Sequence, residues 1–439
     1  MAKRKGKRRS TNKAASLPNR RLVEGLQEAD RLMRKKRWAD ARDLLEKLDD
    51  HYQRRPEVLA DLVNFYYELQ DVEHYQYACE RLLEVEPDNA HAALGLAGAY
   101  VTNVRPALAL RALRRFLKRW PDHERAAEAR ELAAELEAEM PGLLEDLGVS
   151  GQEDLQLAAQ HETVEACLAQ RRFRQARQVA ESILQRYPRF APALNNLSLA
   201  YWAEGRIDDA IAAGEQVLDF EPDNVHALAN LVRFLSTSGR ADEAWAYAEW
   251  LKASAAPVWD VWTKKAEALT FIGDDEGVLQ VVHQAEQEAD STRDRSNPML
   301  LHLAAVAAMR LGRKGQARRY WRRALKRQPG LRLAQENLAD LDRPVSRRHA
   351  PWPFSLESWV GPKTLEDLLR FVSAAERKDD EESVGRAARR FLRKHPEVAA
   401  VVPSLLERGD ERAREFAVLS CWPIRRTRPS CWEPSRISP

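Results

Sequence analysis

Apolar side chains recur at helical spacing along most of this chain, most clearly in Ala191–Asn224. The first half of that stretch follows the period of an α-helix with Leu194, Leu197, Leu199, Ala200 and Tyr201. Gly205 interrupts the pattern, and Asp208 then opens a second apolar stripe at the point where acidic side chains suit the positive end of a helix dipole. Pro222 closes that stripe, because proline cannot continue a helix. The pattern therefore predicts two short helices joined by a tight turn.

The same two-helix pattern repeats every 34 residues along most of the chain. Eight copies can be aligned in one register: 22–55, 56–89, 90–123, 157–190, 191–224, 225–258, 259–292 and 298–331. The copies 191–224 and 298–331 keep the pattern best, whereas 22–55 and 259–292 depart from it. A pair of short helices cannot bury its own apolar face, so neighbouring pairs have to stack on one another.

Small residues occupy two fixed positions of each copy, one in each predicted helix. The pairs are Ser198 with Ala210, Ala97 with Ala109, Val232 with Ala244, and Ala305 with Ala317. We expect the two helices to approach each other most closely there. A larger side chain at such a place should overpack the pair at a cost of roughly 1–3 kcal/mol.

This repeat resembles the tetratricopeptide family in its length, its small-residue positions and its closing prolines. The resemblance implies an all-α chain folded as a right-handed superhelical solenoid of helix pairs, followed here by a small C-terminal helical region. It also implies a non-enzymatic scaffold or adaptor that binds a protein or peptide partner in its concave groove. The identity of the partner, its pathway and the oligomeric state stay open.

The repeats and the stretches between them suggest a domain order. We predict a disordered basic arm at 1–21, three repeats at 22–123, a degenerate repeat or bridging helix at 124–156, five repeats with a capping helix at 157–342, a linker at 343–363, a helical region at 364–420 and a disordered tail at 421–439.

Three features between and after the repeats carry further expectations. Pro141 and Gly142 should stop the long amphipathic helix of 124–156, with a further short turn of helix after them. The polar stretch 291–298 should be a surface loop. The aromatic stretch Phe354–Trp359 should dock on a neighbouring surface.

Charge is distributed unevenly over a chain whose formal net charge is only +3. Residues 1–21 carry nine basic side chains and no acidic one, so the body of the protein is acidic. No apolar stretch is long enough for a membrane helix, and the basic start is not followed by the apolar segment of a secretory signal. The four cysteines lack metal-ligand spacing, and a reducing cytoplasm is the expected location.

No catalytic motif accompanies the repeats. Phosphate-binding loops, zinc-protease, esterase and kinase signatures are all missing from the sequence, and the ten histidines are dispersed. The stretch Gly361–Thr364 resembles only the end of a phosphate-binding loop. We therefore expect no enzymatic activity, no cofactor and no metal site.

In the tetratricopeptide family the first helix of each repeat lines the groove through its second, fifth, ninth, twelfth and thirteenth positions. Because the second block of repeats is better preserved, we place the groove there. The resemblance assigns partner binding to His161, Glu165, Asn195, Trp202, Arg233, Asp260, Glu267, Phe271, His302, Met309 and Arg310. Such a mixture of aromatic, polar and charged groups suits an extended or helical peptide.

One known class of groove can be excluded by its residues. Family members that hold the C-terminal tails of heat-shock chaperones use basic side chains that clamp a carboxylate. The corresponding positions of this chain include His161, Glu165, Asn196 and Asn230, and only one position matches cleanly in either alignment. The basic residues needed for the carboxylate are missing.

Two alternatives to the groove remain. An RNA- or ribosome-associated factor could contact nucleic acid through basic side chains of the arm and of one repeat helix. Those residues are Lys3, Arg4, Lys5, Lys7, Arg8, Arg9, Arg318, Arg319, Arg322 and Arg323. The other alternative is a regulatory subunit whose helices at 364–420 dock on an enzyme.

Overall fold

The computed structural model describes residues 20–148, 154–255, 259–288, 297–375 and 381–425 of the chain. These residues fall into two compact units, the first ending at Glu162 and the second beginning at Thr163. Each unit is a stack of paired α-helices, and the all-α solenoid class predicted from the sequence is confirmed. Within the described ranges, no helix is both long and apolar enough to cross a membrane.

The first unit consists of seven helices and the beginning of an eighth. They are α1 (Arg20–Arg34), α2 (Trp38–His51), α3 (Pro56–Glu68), α4 (Val72–Val85), α5 (Ala90–Thr102), α6 (Pro106–Arg119), α7 (Ala126–Asp146) and α8 (Asp154–Ala169), which crosses the boundary between the units.

The second unit continues the helix pairs and ends in a group of C-terminal helices. The pairs and the capping helix are α9 (Phe173–Arg186), α10 (Ala191–Ala203), α11 (Ile207–Leu218), α12 (Val225–Thr237), α13 (Ala241–Ala253), α14 (Trp259–Ile272), α15 (Asp275–Glu288), α16 (Pro298–Arg310), α17 (Lys314–Arg327) and α18 (Arg332–Asp340). After a short 3₁₀ turn at Val345–Arg347 come α19 (Leu356–Trp359), α20 (Pro362–Ala375), α21 (Glu381–Lys394), α22 (Pro396–Arg408) and α23 (Glu411–Arg425).

Asparagine side chains fix the starts of helices at equivalent places in the repeats. The side chain of Asn89 accepts a hydrogen bond of 2.9 Å from the backbone N–H of Ala92 at the start of α5. Asn224 does the same for Ala227 at the start of α12, at 3.0 Å. Each bond satisfies a backbone donor that has no partner within its helix, so the repeat boundary is set by a local interaction.

A left-handed backbone conformation recurs in the turn inside each repeat. Residues with positive φ occur at positions 36, 70 and 104, then at 171, 205, 239 and 273, and finally at 312. Within each block the interval is the 34-residue period of the sequence. Four of these turns use glycine, which adopts positive φ without a steric penalty. The turn geometry therefore follows the same register as the apolar pattern.

The small residues of each repeat lie where its two helices meet. Ala97 and Ala109 in the first unit are fully buried, as are Ser198 and Ala210 in the second. The remaining predicted pairs are also fully buried. Because these side chains end at Cβ or one atom beyond it, the helix backbones can approach closely, as the sequence predicts.

Two boundaries differ from the sequence expectations. Helix α7 runs through Pro141 to Asp146, so Pro141 does not end it; the residue forfeits its own backbone hydrogen bond but the helix continues. Helix α23 continues past Cys421 to Arg425, beyond the predicted start of the tail. The arm up to residue 19, residues 289–296 with most of the loop predicted at 291–298, and residues 426–439 lie outside the described residues.

The C-terminal helices share one hydrophobic core with the repeats of the second unit. That core extends from Ala191 in α10 to Ala417 in α23, and it includes Phe354 and Trp359 from the segment between the repeats and α20. The predicted docking of the aromatic stretch is therefore observed, and its partner is the inner helix row of this unit's own repeats.

Candidate functional site

Trp202 and Arg233 form the centre of the predicted groove in the second unit. They lie on α10 and α12, the first helices of neighbouring repeats. The guanidinium carbon of Arg233 is 4.0 Å from the centre of the Trp202 ring, and the ring also stacks on Phe234 at 6.2 Å. The guanidinium, the Trp202 ring and the buried Phe234 ring are thus joined by stacking contacts.

A backbone segment of the same chain covers Arg233 and Trp202. The Nη2 atom of Arg233 donates a hydrogen bond of 2.8 Å to the carbonyl oxygen of Ser358 in α19. Gly361 lies so close to α10 that an added Cβ atom would be 3.1 Å from the carbonyl oxygen of Trp202. A side chain at 361 would therefore require the segment or α10 to shift by a few tenths of an ångström.

Phe271 on α14 anchors the next part of the covering segment. Its ring stacks on Phe354 at 4.6 Å and meets the edge of Trp359 at 5.1 Å. Phe354 and Trp359 also contact each other at 5.9 Å. Trp359 is only 1 % exposed, so the three rings form a closed aromatic cluster rather than an open surface.

His302 on α16 holds the beginning of the segment. Its Nε2 atom is 3.1 Å from the carbonyl oxygens of both Trp352 and Pro353, and its Nδ1 atom accepts a hydrogen bond of 3.2 Å from the indole of Trp321. Both ring nitrogens are thus used by the neutral, Nε2-protonated imidazole. Complete burial lowers the pKa of His302 to about 4, because the protonated form would lose its hydration.

Asn337 on the capping helix α18 adds a second anchor at the same point. Its side-chain oxygen accepts from the backbone N–H of Trp352 at 2.8 Å, and its Nδ2 donates to the carbonyl of Trp352 at 2.9 Å. The Asn337 amide thus bonds to both backbone groups of Trp352, as a residue of an adjacent β-strand would, and these two bonds fix the position of Trp352.

Arg310 and the C-terminal helix α22 close the far end of the groove. Arg310 pairs with Asp275 at 2.9 Å and with Glu407 at 2.6 Å. Arg408 donates from the other side to the carbonyl oxygens of Thr270 and Phe271, at 3.2 and 3.4 Å. These bonds hold α22 against α14 and α16.

The other predicted groove residues lie outside this covered area or take a structural role. Asn195 is buried and donates to Asn224 at 3.2 Å, and Glu267 pairs with Lys264 at 3.1 Å. His161 is buried, Glu165 is exposed, and Met309 packs half-buried against the core. Asp260 lies in α14, and its side chain is outside the described residues.

The basic residues of the alternative hypothesis are partly paired with acids. Arg318 pairs with Asp342 at 2.9 Å and Arg323 with Glu286 at 2.6 Å. Arg319 and Arg322 are exposed on α17. The six residues of the N-terminal arm, Lys3, Arg4, Lys5, Lys7, Arg8 and Arg9, lie outside the described residues.

The first unit contains an open groove that the sequence assignment did not include. Two adjoining cavities of about 850 and 440 Å³ share Tyr67, Tyr75, Leu94, Gly95 and Arg125 in their lining. Tyr67 is 67 % exposed, and its ring lies 5.8 Å from that of Tyr75. An added Cβ atom on Gly98 would meet nothing within 4 Å. We call this surface the first-unit groove.

The repeat register relates this open groove to the covered one. Tyr67 occupies the same repeat position as Trp202, and Gly98 occupies the same position as Arg233. In the second unit the arginine fills the space beside the aromatic ring and binds Ser358. In the first unit the glycine leaves that space empty. The register used for the second block could have found these residues if it had been applied to the first.

Comparison with known proteins identifies one repeat family in two stretches of the chain. A tetratricopeptide repeat family model matches residues 76–124 and 164–225. A crystal structure of a tetratricopeptide repeat protein from Parabacteroides merdae is 13% identical, with a TM-score of 0.36 over 65% of this chain and 97% of that one. The pilF protein of Pseudomonas aeruginosa is 16% identical, with a TM-score of 0.27 over 65% of this chain and 97% of that one.

A third solved structure, that of the MamA protein, is 18% identical, with a TM-score of 0.23 over 46% of this chain and 97% of that one. No curated protein sequence matches the chain.

Proposed function

We propose that this tetratricopeptide repeat protein is a non-enzymatic scaffold that binds an extended segment of a partner protein in the first-unit groove. Repeats of this family generally serve protein–protein interaction. The observation that carries the proposal is the open, tyrosine-lined cavity at Tyr67, at the repeat position where the second unit buries its own chain. Five of the second-block residues assigned from the sequence, Trp202, Arg233, Phe271, His302 and Arg310, are already in contact with residues 352–408.

The lining of the first-unit groove defines the chemistry of the partner segment. Tyr67 and Tyr75 offer aromatic faces, and Leu94 adds an apolar wall. Gly98 exposes the backbone of α5 without a Cβ atom between it and the cavity, whereas the hydroxyl group of Tyr75 lies against the backbone at Gly95. We expect the partner segment to carry at least one aromatic or large aliphatic side chain, since such anchors provide most of the binding energy in grooves of this kind.

The second unit supplies an internal precedent for this chemistry. At the equivalent positions it holds a segment that contains Pro353, Phe354 and Trp359. Its aromatic side chains pack on rings of the repeats, and its backbone is hydrogen-bonded by Arg233 and His302. A related mode of binding in the first unit would use Tyr67 in the role that Trp202 and Phe271 have in the second.

A photo-crosslinking experiment on the full chain tests the proposal. A photoreactive phenylalanine replaces Tyr67 in the native cell, and the adducts are mapped by mass spectrometry to a segment of the partner. The same residue placed at Tyr77, on α4 and outside the cavity lining, is the control. We expect one partner segment with an aromatic or large aliphatic residue to be crosslinked from position 67 and not from position 77.

A synthetic peptide of the mapped segment then identifies the binding surface. Gly98→Arg should lower its affinity at least tenfold, because the arginine would fill the space beside Tyr67. Gly142→Arg in α7 is the matched control, since a Cβ atom there also meets nothing within 4 Å. Equal binding by wild type and Gly98→Arg, or no segment crosslinked from position 67, would exclude this groove as the site. Adducts to RNA instead would favour the nucleic-acid alternative.

A further inference from the structure

The segment of residues 350–361 lies along the second unit's groove in reverse order of the repeats. Trp352 and Pro353 contact His302 in the last repeat, and Phe354 contacts Phe271 in the repeat before it. Farther along, Ser358 meets Arg233 and Gly361 meets Trp202 in the two preceding repeats. Four successive repeats therefore each contact one part of a single extended segment. We call residues 350–361 the docking segment.

The contacts on the repeat side use the positions at which this family of repeats holds ligands. Trp202 is at the twelfth position of its repeat, Arg233 at the ninth, Phe271 at the thirteenth and His302 at the fifth. The segment is thus bound by the surface on which a separate peptide would be bound. We propose that residues 350–361 are a built-in ligand of this groove, and that they keep it closed to extended aromatic peptides from other proteins.

An exposed connection separates the docking segment from the last repeat. Residues 342–347 are all exposed, and their only regular structure is the 3₁₀ turn at Val345–Arg347. Val345 is 73 % exposed although it is apolar. The repeats end in their own capping helix, α18, before this connection begins. Asp342 pairs with Arg318, and Arg348 and His349 bond to residues 340–343. A change in the position of the segment would break these surface contacts but no helix pair of a repeat.

The interface leaves several buried polar atoms without hydrogen bonds. The indole nitrogens of Trp352 and Trp359 and the Nε atoms of Arg233 and Arg408 have no acceptor among the described residues. A buried donor of this kind is unfavourable, because it has lost its hydrogen bonds to water and gained none in the protein. These costs offset part of what the burial of Phe354 and Trp359 contributes, so the docked state is less stable than the apolar contacts alone would make it.

Arg233 also indicates which competing peptide would bind best. It forms no ion pair with a carboxylate of the described residues; it donates to the carbonyl oxygen of Ser358 and lies over the rings of Trp202 and Phe271. A carboxylate at this point would accept a stronger, charge-assisted hydrogen bond. The competing segment is therefore an extended peptide with aromatic side chains on both sides of an acidic residue.

Peptide binding to the full chain tests the proposal. The probe is a fluorescent synthetic peptide of residues 350–361, and its binding is followed by fluorescence polarisation. The double variant Phe354→Ala/Trp359→Ala weakens the segment within the chain. We expect this variant to bind the probe at least tenfold more tightly than wild type does, since the probe can supply the two missing side chains. A probe with glutamate in place of Ser358 should bind more tightly still.

Two further variants locate the binding. Adding Arg233→Ala to the double variant should abolish the gain. Trp245→Ala/Trp250→Ala, which removes two aromatic side chains from the outer helix α13, is the matched control and should bind the probe no better than wild type. A gain that is lost on Gly98→Arg and kept with Arg233→Ala would place the probe in the first-unit groove and overturn the proposal.

The folding of the double variant shows whether the docking segment is a ligand of the repeats or a part of their hydrophobic core. Its helical circular dichroism and cooperative thermal transition should remain. Loss of either would show that the segment is required for the repeats to fold, and would overturn the proposal. A variant that folds but binds the probe no better than wild type would overturn it as well. Neither result bears on the first-unit groove, whose test uses position 67 and a different peptide.

Discussion

The guanidinium carbon of Arg233 lies 4.0 Å from the centre of the Trp202 ring, although the two residues belong to different repeats. The stack orients the guanidinium so that Nη2 points at the carbonyl oxygen of Ser358, 2.8 Å away. One side chain thereby joins two repeats to the docking segment. The planar shape of the group, rather than its charge alone, makes both contacts possible.

Replacing Arg233 by lysine should separate these two properties. Lys keeps the positive charge but loses the flat face that stacks on Trp202 and the fixed direction of the donor. We expect Arg233→Lys to lower the free energy of unfolding by about 1–2 kcal/mol, measured by chemical denaturation. Arg240→Lys is the control, because Arg240 pairs with Glu243 on the surface and its replacement should cost under about 0.5 kcal/mol. Equal effects of the two variants would contradict the role of the stack.

A pair of glycine variants should report the docking of α22 separately from the turns of the repeats. Gly239 and Gly312 both have positive φ, so alanine at either place costs about 1–2 kcal/mol in backbone strain. A Cβ atom on Gly239 would also lie 2.7 Å from the Cβ of Ala400 in α22, whereas one on Gly312 would meet nothing within 4 Å. We expect Gly239→Ala to speed hydrogen exchange in α22 and the docking segment, and Gly312→Ala to leave both unchanged.

The stability of the second unit should depend on pH through His302. Its pKa is lowered to about 4 in the folded chain and is near 6.5 in an unfolded one, so the unfolded state binds the proton more readily between these values. Stability that is fully present above about pH 6.5 is therefore lost as the pH falls toward 4, by roughly 3 kcal/mol from this group. The protonated ring would also direct an Nδ1–H toward the indole N–H of Trp321.

The measurement is chemical denaturation at several pH values between 4 and 7, for wild type and for His302→Gln. Glutamine does not titrate, and its amide can still donate toward the carbonyl oxygen of Pro353. Since the other histidines contribute equally to both proteins, the difference between the two curves isolates His302. We expect the variant to lose less stability over this range, and parallel curves would refute the assignment.

The sequence predicted the features that depend on neighbouring residues along the chain. Helix pairs, the small residues at Ala97 and Ala109, and the turns all follow from local spacing, and the structure has them. Helix α7 differs because one proline removes a single hydrogen bond, and the packing of its buried face keeps the helix intact through Pro141.

What covers a surface could not be predicted in the same way. The repeat register predicts that Trp202 faces inward, and the sequence predicts that the aromatic stretch at 354–359 docks on a neighbouring surface. Nothing local connects Arg233 with Ser358, which lies more than a hundred residues away. The first-unit groove differs in part: the register identifies the positions of Tyr67 and Gly98, but the open space beside Tyr67 is seen only in the three-dimensional structure.

Replacing Val104, which lies in the turn of a repeat, should raise the stability of the first unit rather than lower it. Val104 has a φ of 56° and is 80 % exposed, and a β-branched residue is strained in this left-handed conformation. The equivalent position is glycine in four repeats of the second unit. We expect Val104→Gly to raise the free energy of unfolding of the first unit by about 1 kcal/mol, since relief of strain exceeds the greater entropy of glycine in the unfolded chain.

Val101→Gly, three residues earlier in α5, should instead lower the free energy of unfolding by about 0.5–1 kcal/mol, because glycine weakens a helix. Thermal melting of the two variants beside wild type measures both signs, and a loss of stability in Val104→Gly would show that the turn stores no such strain.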